Sequence, residues 1–585
     1  MRPTDRCVPD TRTCFRFYPR PARWAVPLWV AVTLMAGPLP AQDAPVVGTQ
    51  VNRMVEIAFT ATRDHEDAFH AVTLDVLFET PQGTTLRVPA FWAGGRVWKV
   101  RYASPLLGTH RWRSECSVTT DPGLHAAAGT VVVEPYHGAN PLFLHGPLRV
   151  AEDRRHFQHL DQTPFFWLGD TWWMGLCQRL HWPDEFQQLA ADRKAKGFNV
   201  VQIVAGLYPD MPAFDPRGTN EAGFPWEPDY ARIRPEYFDR ADERLLYLVD
   251  QGFVPCIVGA WGYHLPWLGT ERMQQHWRYL IARYAALPVV WCAAGEGTMP
   301  FYGSPRAQEE AALQKTGWTE VVRYSRATDP FGRLVTIHPS QSARETITDA
   351  ALLDFDMHQT GHQPESGIGN LARQIRAAYE AAPAMPVISG ESSYEGLDLT
   401  EWGGSLLTGT AARQMFWVSL MHNGAAGGTY GANGIWQVNR RDVPYGPSPH
   451  GRSWGSIPWD DAMHQPGSRQ VGLAKQLLAR YPWQRLEPLP DTVAWADAPA
   501  GGDDVRPCAA GIGTQLRIVY VPQARAVTVT QLAAETAYTL RLCDPVEGGQ
   551  QSPGSVTTDP SGVWRCAPPN SDHDWVLILQ TTGTE

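Results

Sequence analysis

The sequence lacks the motifs by which several classes of protein are recognised. Its nine cysteines form neither a CxxC pair nor a zinc-finger spacing, and no HExxH motif is present. Beyond the N-terminal segment, no apolar run is long enough to span a membrane. Lys and Arg number 50 against 60 Asp and Glu, so the chain is acidic and a nucleic-acid partner is not expected. We therefore expect a globular protein that needs no metal and no cofactor.

The first 41 residues have the pattern of a secretory signal peptide. Six arginines come first, an apolar run from Trp24 to Met35 follows, and small residues and prolines lead to Ala41. The run is short for a membrane-spanning helix, so we predict cleavage near Ala41 and a secreted or periplasmic protein. Export permits one disulfide bond of undetermined pairing among Cys508, Cys543 and Cys566. The other cysteines after the leader are expected to be buried: Cys116, Cys177, Cys256 and Cys292.

Three segments of different periodicity follow the leader. Residues 46–136 alternate apolar and polar positions between turn signals, which is typical of a β-sandwich, and residues 488–585 return to the same pattern. Between them, residues 137–487 alternate short apolar runs with stretches of helical period. The fold class predicted is α/β, a (β/α)8 TIM barrel flanked by two small β-sandwich domains.

Eight apolar runs in the central segment are interpreted as the strands of a closed barrel: 165–170, 199–204, 254–259, 289–294, 334–338, 355–358, 386–391 and 426–431. Helices are predicted between them at 237–251, 271–285, 317–328, 371–381 and 410–422. The segment is longer than the usual barrel of about 250 residues, so some loops carry insertions. The two clearest, 208–235 and 431–466, are expected at the catalytic mouth.

Two carboxylates at strand ends carry the predicted chemistry. Glu296 follows the fourth run and Glu391 ends the seventh, and these strands lie across a barrel from each other. Hydrolysis of a glycosidic bond needs one protonated carboxyl and one ionised carboxyl. A separation of about 5–5.5 Å would give retention of configuration. The alternative is that each Glu makes only a structural salt bridge.

The chain also resembles the apiosidase-like glycoside hydrolases over nearly its whole length. The resemblance rests on FWLGDTWW at 166–173, KGFNVVQ at 196–202, VWCAAGE at 290–296, VISGESSYEG at 387–396 and GGTYGANGIW at 427–436. It implies that Glu296 is the acid/base and Glu391 the nucleophile. The flanking segments are similar to that family's N-terminal β-sandwich and collagen-binding-like C-terminal modules, although no residue here argues for collagen.

The residues at and just before the predicted acid differ from those of the related enzymes. Many relatives have Asp where this chain has Glu296, and the wider clan usually has Asn at the preceding position, where this chain has Gly295. That Asn commonly contacts the sugar 2-hydroxyl. Another residue must make this contact here, or the sugar is unusual at that position.

Polar and aromatic residues near the other strand ends are predicted to bind substrate: Asp170, Trp172, Trp173, Gln202, Trp261, His338, His358, Tyr430 and Trp436. An Asp before Thr is also a common helix cap. His338, His358 and His362 lie in different segments without a paired spacing, which favours substrate hydrogen bonds over a metal site. Glu395 is expected to have a structural role.

Together these features predict a secreted retaining glycoside hydrolase that acts on plant cell-wall polysaccharide, with apiosidase activity on pectic side chains as the most specific hypothesis. The predicted partner is an oligosaccharide or polysaccharide. Three alternatives stay open: a non-catalytic carbohydrate-binding protein, a retaining glycosidase for a different sugar, and a metal-dependent hydrolase. The sugar, its linkage, endo or exo action, the ligand of the C-terminal domain and the oligomeric state lie beyond the sequence.

Overall fold

The computed structural model describes residues 45–497, 504–568 and 571–582, together with a two-residue strand at Val32–Thr33. Apart from that strand, the predicted signal peptide of residues 1–41 lies outside the described residues. Within the described residues, no helix is both long enough and apolar enough to cross a membrane.

Eight parallel strands form the central sheet: β1 Trp167–Thr171, β2 Val200–Val204, β3 Val254–Val258, β4 Val290–Cys292, β5 Val335–Thr336, β6 Asp356–Gln359, β7 Val387–Glu391 and β8 Gly427–Tyr430. Their order in the sheet is β5, β4, β3, β2, β1, β8, β7, β6. Each strand overlaps one of the eight predicted apolar runs, and the predicted fold class is confirmed.

The barrel is nearly closed, which corrects the expectation of full closure. Strands β5 and β6 do not form a ladder with each other. Instead, the Val335 N–H donates to the Asp354 carboxylate at 2.8 Å, the Asp354 N–H donates to the Val335 carbonyl at 2.9 Å, and Thr336 Oγ1 donates to the Phe355 carbonyl at 3.0 Å. The Asp354 side chain therefore accepts the hydrogen bond from the Val335 N–H that a backbone carbonyl of β6 would accept in a regular ladder.

Helices connect the strands on the outside of the barrel: Asp184–Ala195, Pro235–Asp250, His264–Leu268, Thr270–Tyr284, Ala307–Thr328, Ala343–Thr346, Ile368–Glu380, Gly409–His422, Trp459–Ala462 and Pro466–Leu478. Pro235 and Pro466 stand in the first turn of their helices, where the missing N–H of proline costs nothing. Residues 411–422 are all buried, because the C-terminal domain covers the outer face of that helix.

The N-terminal domain consists of two packed sheets with their own apolar core. Its strands are Val46–Gln50, Val55–Thr60, Leu74–Glu79, Thr85–Pro89, Phe91–Trp92, Val97–Tyr102, Gly108–Cys116 and Ala128–Glu134, and its one short helix is Ala68–Ala71. Arg101 joins this domain to the barrel, because it pairs with both Glu56 and Asp242. The helix Pro141–Leu144 and three short strands, Leu148–Val150, Phe157–His159 and Pro164–Phe165, lead into β1.

The C-terminal domain has one six-stranded and one three-stranded sheet. The larger contains Glu487–Pro488, Cys508–Ile512, Leu516–Val521, Ala537–Cys543, Gln550–Thr557 and Trp575–Thr581; the smaller contains Val493–Trp495, Val527–Val529 and Trp564–Cys566. The Tyr520 ring stacks on Trp417 of the barrel at 5.7 Å. Because the barrel's apolar core continues into both flanking domains, the predicted domain limits stay predictions.

The seven cysteines after residue 41 are buried and free in the structure. The disulfide bond that export would permit near the C-terminus is therefore not formed here. Cys508 and Cys543 belong to the apolar core shared with the barrel, whereas Cys566 belongs to the C-terminal domain's own core. The sandwich thus directs the three side chains into two different layers.

Candidate active site

Glu296 and Glu391 lie at the carboxyl ends of their strands. Glu391 is the last residue of β7, and Glu296 stands four residues after β4. The pairing between β3 and β4 continues past the strand ends, since the Gly295 N–H donates to the Ala260 carbonyl and the Gly262 N–H donates to the Gly295 carbonyl. Glu296 itself has a left-handed backbone with φ of 41°, a conformation that is uncommon for a non-glycine residue.

One amide joins the two carboxylates. Gln359 Nε2, at the end of β6, donates to Glu296 Oε1 and to Glu391 Oε1, and both hydrogen bonds are 3.1 Å long. The two acceptor oxygens therefore cannot be farther apart than twice that distance. The structure thus brings the two carboxyl groups to one site, where they are close enough for one amide nitrogen to contact both of them.

Glu391 is buried, with 5% of its surface exposed, and lies among two histidines. His362 Nε2 lies 3.0 Å from Oε1, and His338 Nε2 lies 3.2 Å from Oε2. Burial raises the pKa of Glu391, but the contacts and charges of His338 and His362 outweigh that effect, so its pKa falls far below the usual range. Glu391 is therefore ionised.

His362 is arranged to carry a positive charge. Its Nδ1 lies 2.8 Å from the Ser392 carbonyl, which can only accept a hydrogen bond, so Nδ1 carries a proton. Its Nε2 faces the Glu391 carboxylate. Burial lowers the pKa of His362, but the hydrogen bond and charge of Glu391 raise it more, and the net shift is upward. Both ring nitrogens therefore act as donors.

Glu296 has the opposite environment. Its side chain is partly exposed and accepts hydrogen bonds from Gln359 and from Trp261 Nε1 at 3.2 Å. Burial and the negative charge of Glu391 raise its pKa, although His338, Gln359 and Trp261 offset part of the rise. Glu296 is thus the carboxyl that holds a proton more readily.

The Trp261 side chain explains the glycine before Glu296. A Cβ atom built on Gly295 would overlap the six-membered ring of Trp261. The ring therefore takes the space that an Asn side chain at this position would need. Trp173 lies behind it, with its ring 5.4 Å from Trp261 and 5.4 Å from His338. Three of the predicted substrate-binding residues, Trp173, Trp261 and His338, are thus brought together beside the two carboxylates.

Asp170 and Trp172 lie in the barrel interior, which corrects their interpretation as sugar ligands. The Asp170 carboxylate is fully buried and accepts hydrogen bonds from Arg193 Nε at 2.6 Å, from Trp172 Nε1 at 2.7 Å and from the Thr171 N–H at 3.0 Å. Both carboxylate oxygens of Asp170 thus already accept hydrogen bonds from the protein and are not available to sugar hydroxyls. Asp170 holds Arg193 in the barrel wall.

Gln202, Tyr430 and His358 are also buried and bonded to protein. Gln202 Nε2 donates to the carbonyl of Gly390, the residue before Glu391, at 2.9 Å. The Tyr430 hydroxyl donates to Glu395 Oε2 at 2.6 Å, and His358 Nε2 lies 3.1 Å from Asp356. These three residues support strands and helices near the site, and no direct substrate contact follows from their positions.

Two residues of the site, Gln359 and Tyr394, were not named as ligands from the sequence, whereas His362 was among the histidines expected to hydrogen-bond substrate. Gln359 and His362 contact the carboxylates directly, and the Tyr394 ring lies 4.6 Å from the His362 ring. The Tyr394 hydroxyl is buried without a hydrogen-bond partner among the described residues. The position of Gln359 directly after His358 at a strand end was the available signal. Among the described residues, no three His, Cys, Asp or Glu side chains are placed to hold a metal ion.

An eight-stranded parallel barrel with two facing carboxylates at its carboxyl end is the architecture of many glycoside hydrolases. Residues 151–485 match the family model described as "Apiosidase-like, catalytic domain", and residues 49–117 match the domain of unknown function DUF5060. The chain therefore belongs to the apiosidase-like family. Among curated proteins, no sequence matches significantly.

Solved structures of similar fold are glycoside hydrolases. One, called simply a glycoside hydrolase, is 23% identical and covers 77% of this chain and 100% of its own, with a TM-score of 0.64. A glycoside hydrolase family 5 protein from Bacteroides vulgatus is 22% identical, covers 77% of this chain and 96% of its own, and has a TM-score of 0.64. At these identities the likeness shows the fold alone.

Proposed function

We propose that this chain is a retaining glycoside hydrolase in which Glu296 is the acid/base and Glu391 the nucleophile. The observation that carries the proposal is the arrangement of two carboxyls that share one amide donor, of which Glu391 faces two histidines and Glu296 accepts only from neutral donors. Environments that push two neighbouring carboxyl pKa values apart assign the acid to one and the base to the other.

The two carboxyls divide the steps of a retaining mechanism. In the first step, the Glu391 carboxylate bonds to the anomeric carbon, the bond from that carbon to the leaving oxygen breaks, and the leaving oxygen takes the proton of Glu296. In the second step, Glu296 removes a proton from water, which attacks the same carbon and releases Glu391.

The substrate proposed is plant cell-wall polysaccharide, with apiose on pectic side chains as the sugar released. Membership of the apiosidase-like family supports this choice. We further propose that the protein is secreted after cleavage near Ala41, since the first 41 residues have the composition of a signal peptide.

A product screen tests this proposal. The purified protein is incubated with pectic and hemicellulosic oligosaccharides, and proton NMR records the anomer formed first. We expect release of a monosaccharide with retained configuration. Release of the inverted anomer contradicts the retaining mechanism. Binding of the oligosaccharides without any cleavage would instead support a non-catalytic carbohydrate-binding protein.

A further inference from the structure

Gln359 reaches the two carboxylates because β6 changes its register where it ends. The pairing of β6 with β7 shifts between His358 and Gln359, so that Gln359 stands opposite Glu391. An irregularity of this kind turns a side chain in a new direction, and such bulges are frequent beside active sites. On the other side, the Gln359 N–H donates to the Gln341 carbonyl, in the loop after β5, at 3.0 Å. The main chain of Gln359 is therefore held from both sides.

The residues after Gln359 continue along the end of β7. The Thr360 N–H donates to the Glu391 carbonyl at 2.8 Å, and His362 Nδ1 lies 2.8 Å from the Ser392 carbonyl. These contacts fix the main chain of Gln359 and that of Glu391 in one frame. The side chain of Gln359 is thus aimed at Glu391 by the backbone of both strands.

The amide of Gln359 spends both of its N–H groups on the catalytic pair. An amide nitrogen has two donors, and Nε2 lies 3.1 Å from Glu296 Oε1 and 3.1 Å from Glu391 Oε1. Among the described residues, Gln359 Oε1 is buried and has no hydrogen-bond partner. The direction of the amide is therefore set by the two carboxylates alone.

The negative charge of the pair changes place during a retaining reaction. The first step forms the bond from Glu391 to the anomeric carbon, breaks the bond to the leaving oxygen and passes the Glu296 proton to that oxygen. Glu391 is then a neutral ester and Glu296 is ionised. In the second step, water gives a proton to Glu296 and its oxygen to the anomeric carbon, and the bond to Glu391 breaks. The charge thereby returns to Glu391.

The other donors of the site each contact one carboxyl. His338 and His362 face Glu391, and Trp261 Nε1 donates to Glu296 at 3.2 Å. Within the part of the chain that the structure describes, Gln359 alone is hydrogen-bonded to both. A neutral group suits this place, because a cation would hold both carboxyls ionised and leave Glu296 without its proton.

We propose that Gln359 is a positioning residue that gives a hydrogen bond to whichever of the two carboxyls is ionised, so that one amide stabilises the pair before and after the first step. The inference rests on the proposed function and deepens it. It assigns to Gln359 a role in both steps, whereas the histidines act on the nucleophile and Trp261 on the acid.

The pH dependence of Gln359→Met tests this role, because Met has a similar length and no donor. A hydrogen bond to the ionised form lowers the pKa of a carboxyl, so its loss should raise the pKa of both Glu391 and Glu296. Glu391 must be ionised and Glu296 protonated. Both limbs of the profile of kcat/KM against pH should therefore move to higher pH, each by about one unit. A merely structural role would lower the maximum and leave both limbs in place.

Two further variants show whether the donor is shared. Trp261→Phe removes a donor from Glu296 only, so it should move the alkaline limb and leave the acidic one. Gln359→Asn keeps an amide on a shorter side chain, and it should return at least one limb towards the wild-type pH. Gln363→Met is the matched control, because Gln363 is bonded to Ser393 through its main chain, and both limbs should stay in place.

The outcomes separate this role from the proposed function. If only one limb moves in Gln359→Met, the donor is not shared, and if neither moves, Gln359 has only a structural part. Either result overturns the inference and leaves the glycosidase proposal intact. A wild-type enzyme that cleaves no glycoside overturns both.

Discussion

Glu296 and Glu391 carry the same carboxyl group and differ only in what surrounds them. Glu391 faces two histidines, of which His362 is held as a double donor by the Ser392 carbonyl. Glu296 has only neutral donors from Trp261 and Gln359 and stands beside a negative charge. Cations lower a carboxyl pKa and a neighbouring anion raises it, so the pKa values of these two Glu residues shift in opposite directions.

The two carboxylates should respond differently to amide substitution. Glu391→Gln removes the nucleophile and should abolish turnover on every substrate. Glu296→Gln removes only general acid catalysis, which contributes about 10²–10⁴-fold, so cleavage of an activated aryl glycoside should persist while cleavage of a natural sugar linkage falls far more. The measurement is kcat/KM on both substrate types. A fully active Glu391→Gln enzyme would show that the wrong nucleophile was chosen.

Azide provides the control for the acid/base assignment. In Glu296→Ala, a small anion can attack the covalent intermediate without a general base. The expected product is a glycosyl azide of retained configuration, identified by NMR. An azide of inverted configuration would place the attack directly on the substrate.

His362 should control the acidic limb of the pH profile. The low pKa of Glu391 depends partly on this cation, so His362→Gln should raise that pKa. Since the nucleophile must be ionised, activity should then be lost at a higher pH on the acid side, by about one pH unit. The measurement is kcat/KM against pH, whose limbs report the coupled pair of carboxyls. The exposed His464 is a control, and an unchanged limb in His362→Gln contradicts the assignment.

At the scale of elements, the strand ends decide which side chains can meet. Pairing between β3 and β4 beyond their ends brings Trp261 over Gly295, and the indole N–H then reaches Glu296. The glycine is therefore required by the packing of its neighbour, and not by its own backbone angles.

Gly295→Asn should test this packing. The new side chain must displace the Trp261 ring, which should destabilise the protein by about 1–3 kcal/mol. The lost Trp261–Glu296 hydrogen bond and the shifted acid should lower kcat/KM roughly 10- to 100-fold. Chemical unfolding and kinetics measure the two effects. Gly48→Ala is the matched control, since no atom lies within 4 Å of a Cβ there. An active, stable Gly295→Asn enzyme would refute this account of the position.

One element was predicted too short for a physical reason. The sequence predicted a helix over 317–328, whereas the helix is Ala307–Thr328. Its first turns are largely exposed, and among residues 307–316 only Gln314 is buried. An apolar stripe is therefore missing from those turns, and the helical period begins only where the helix packs on the barrel.

At the scale of the whole molecule, the C-terminal domain is fixed to the barrel by a buried ion pair. Arg413, on the helix Gly409–His422, donates to both Asp574 oxygens, and the Tyr520 hydroxyl donates to the same carboxylate at 2.7 Å. The two groups are almost fully shielded from water. Loss of either partner would leave the other charge buried and uncompensated.

Asp574→Ala should therefore destabilise the protein by about 3–5 kcal/mol, the usual cost of breaking a buried ion pair from one side. Calorimetry should show a lower Tm, and limited proteolysis should cleave the C-terminal domain earlier than in the wild type. Glu547→Ala is the matched control, because its pair with Arg469 crosses the same interface but is exposed. A Tm as high as that of the control would mean that Arg413 finds another partner.

The sequence by itself determined the architecture and the two central carboxylates. Short apolar runs must be buried on both faces, and their alternation with amphipathic helices leaves few folds other than a parallel barrel. Because reacting groups of such a barrel stand at the carboxyl ends of its strands, position along the chain was enough to make Glu296 and Glu391 the candidates, and the structure brings them to one site.

Only the tertiary structure decided which polar residues are available to a substrate. Asp170 and Glu391 both stand at strand ends. The Asp170 carboxylate accepts hydrogen bonds from Arg193 and Trp172, whereas the Glu391 carboxylate faces Gln359 and two histidines. Nor does the sequence show that β5 and β6 are joined through Asp354. Whether a hydrogen bond forms depends on differences of a few tenths of an ångström in the distance between donor and acceptor. These atoms often belong to residues far apart in the chain, and only the packed molecule fixes the distances between them.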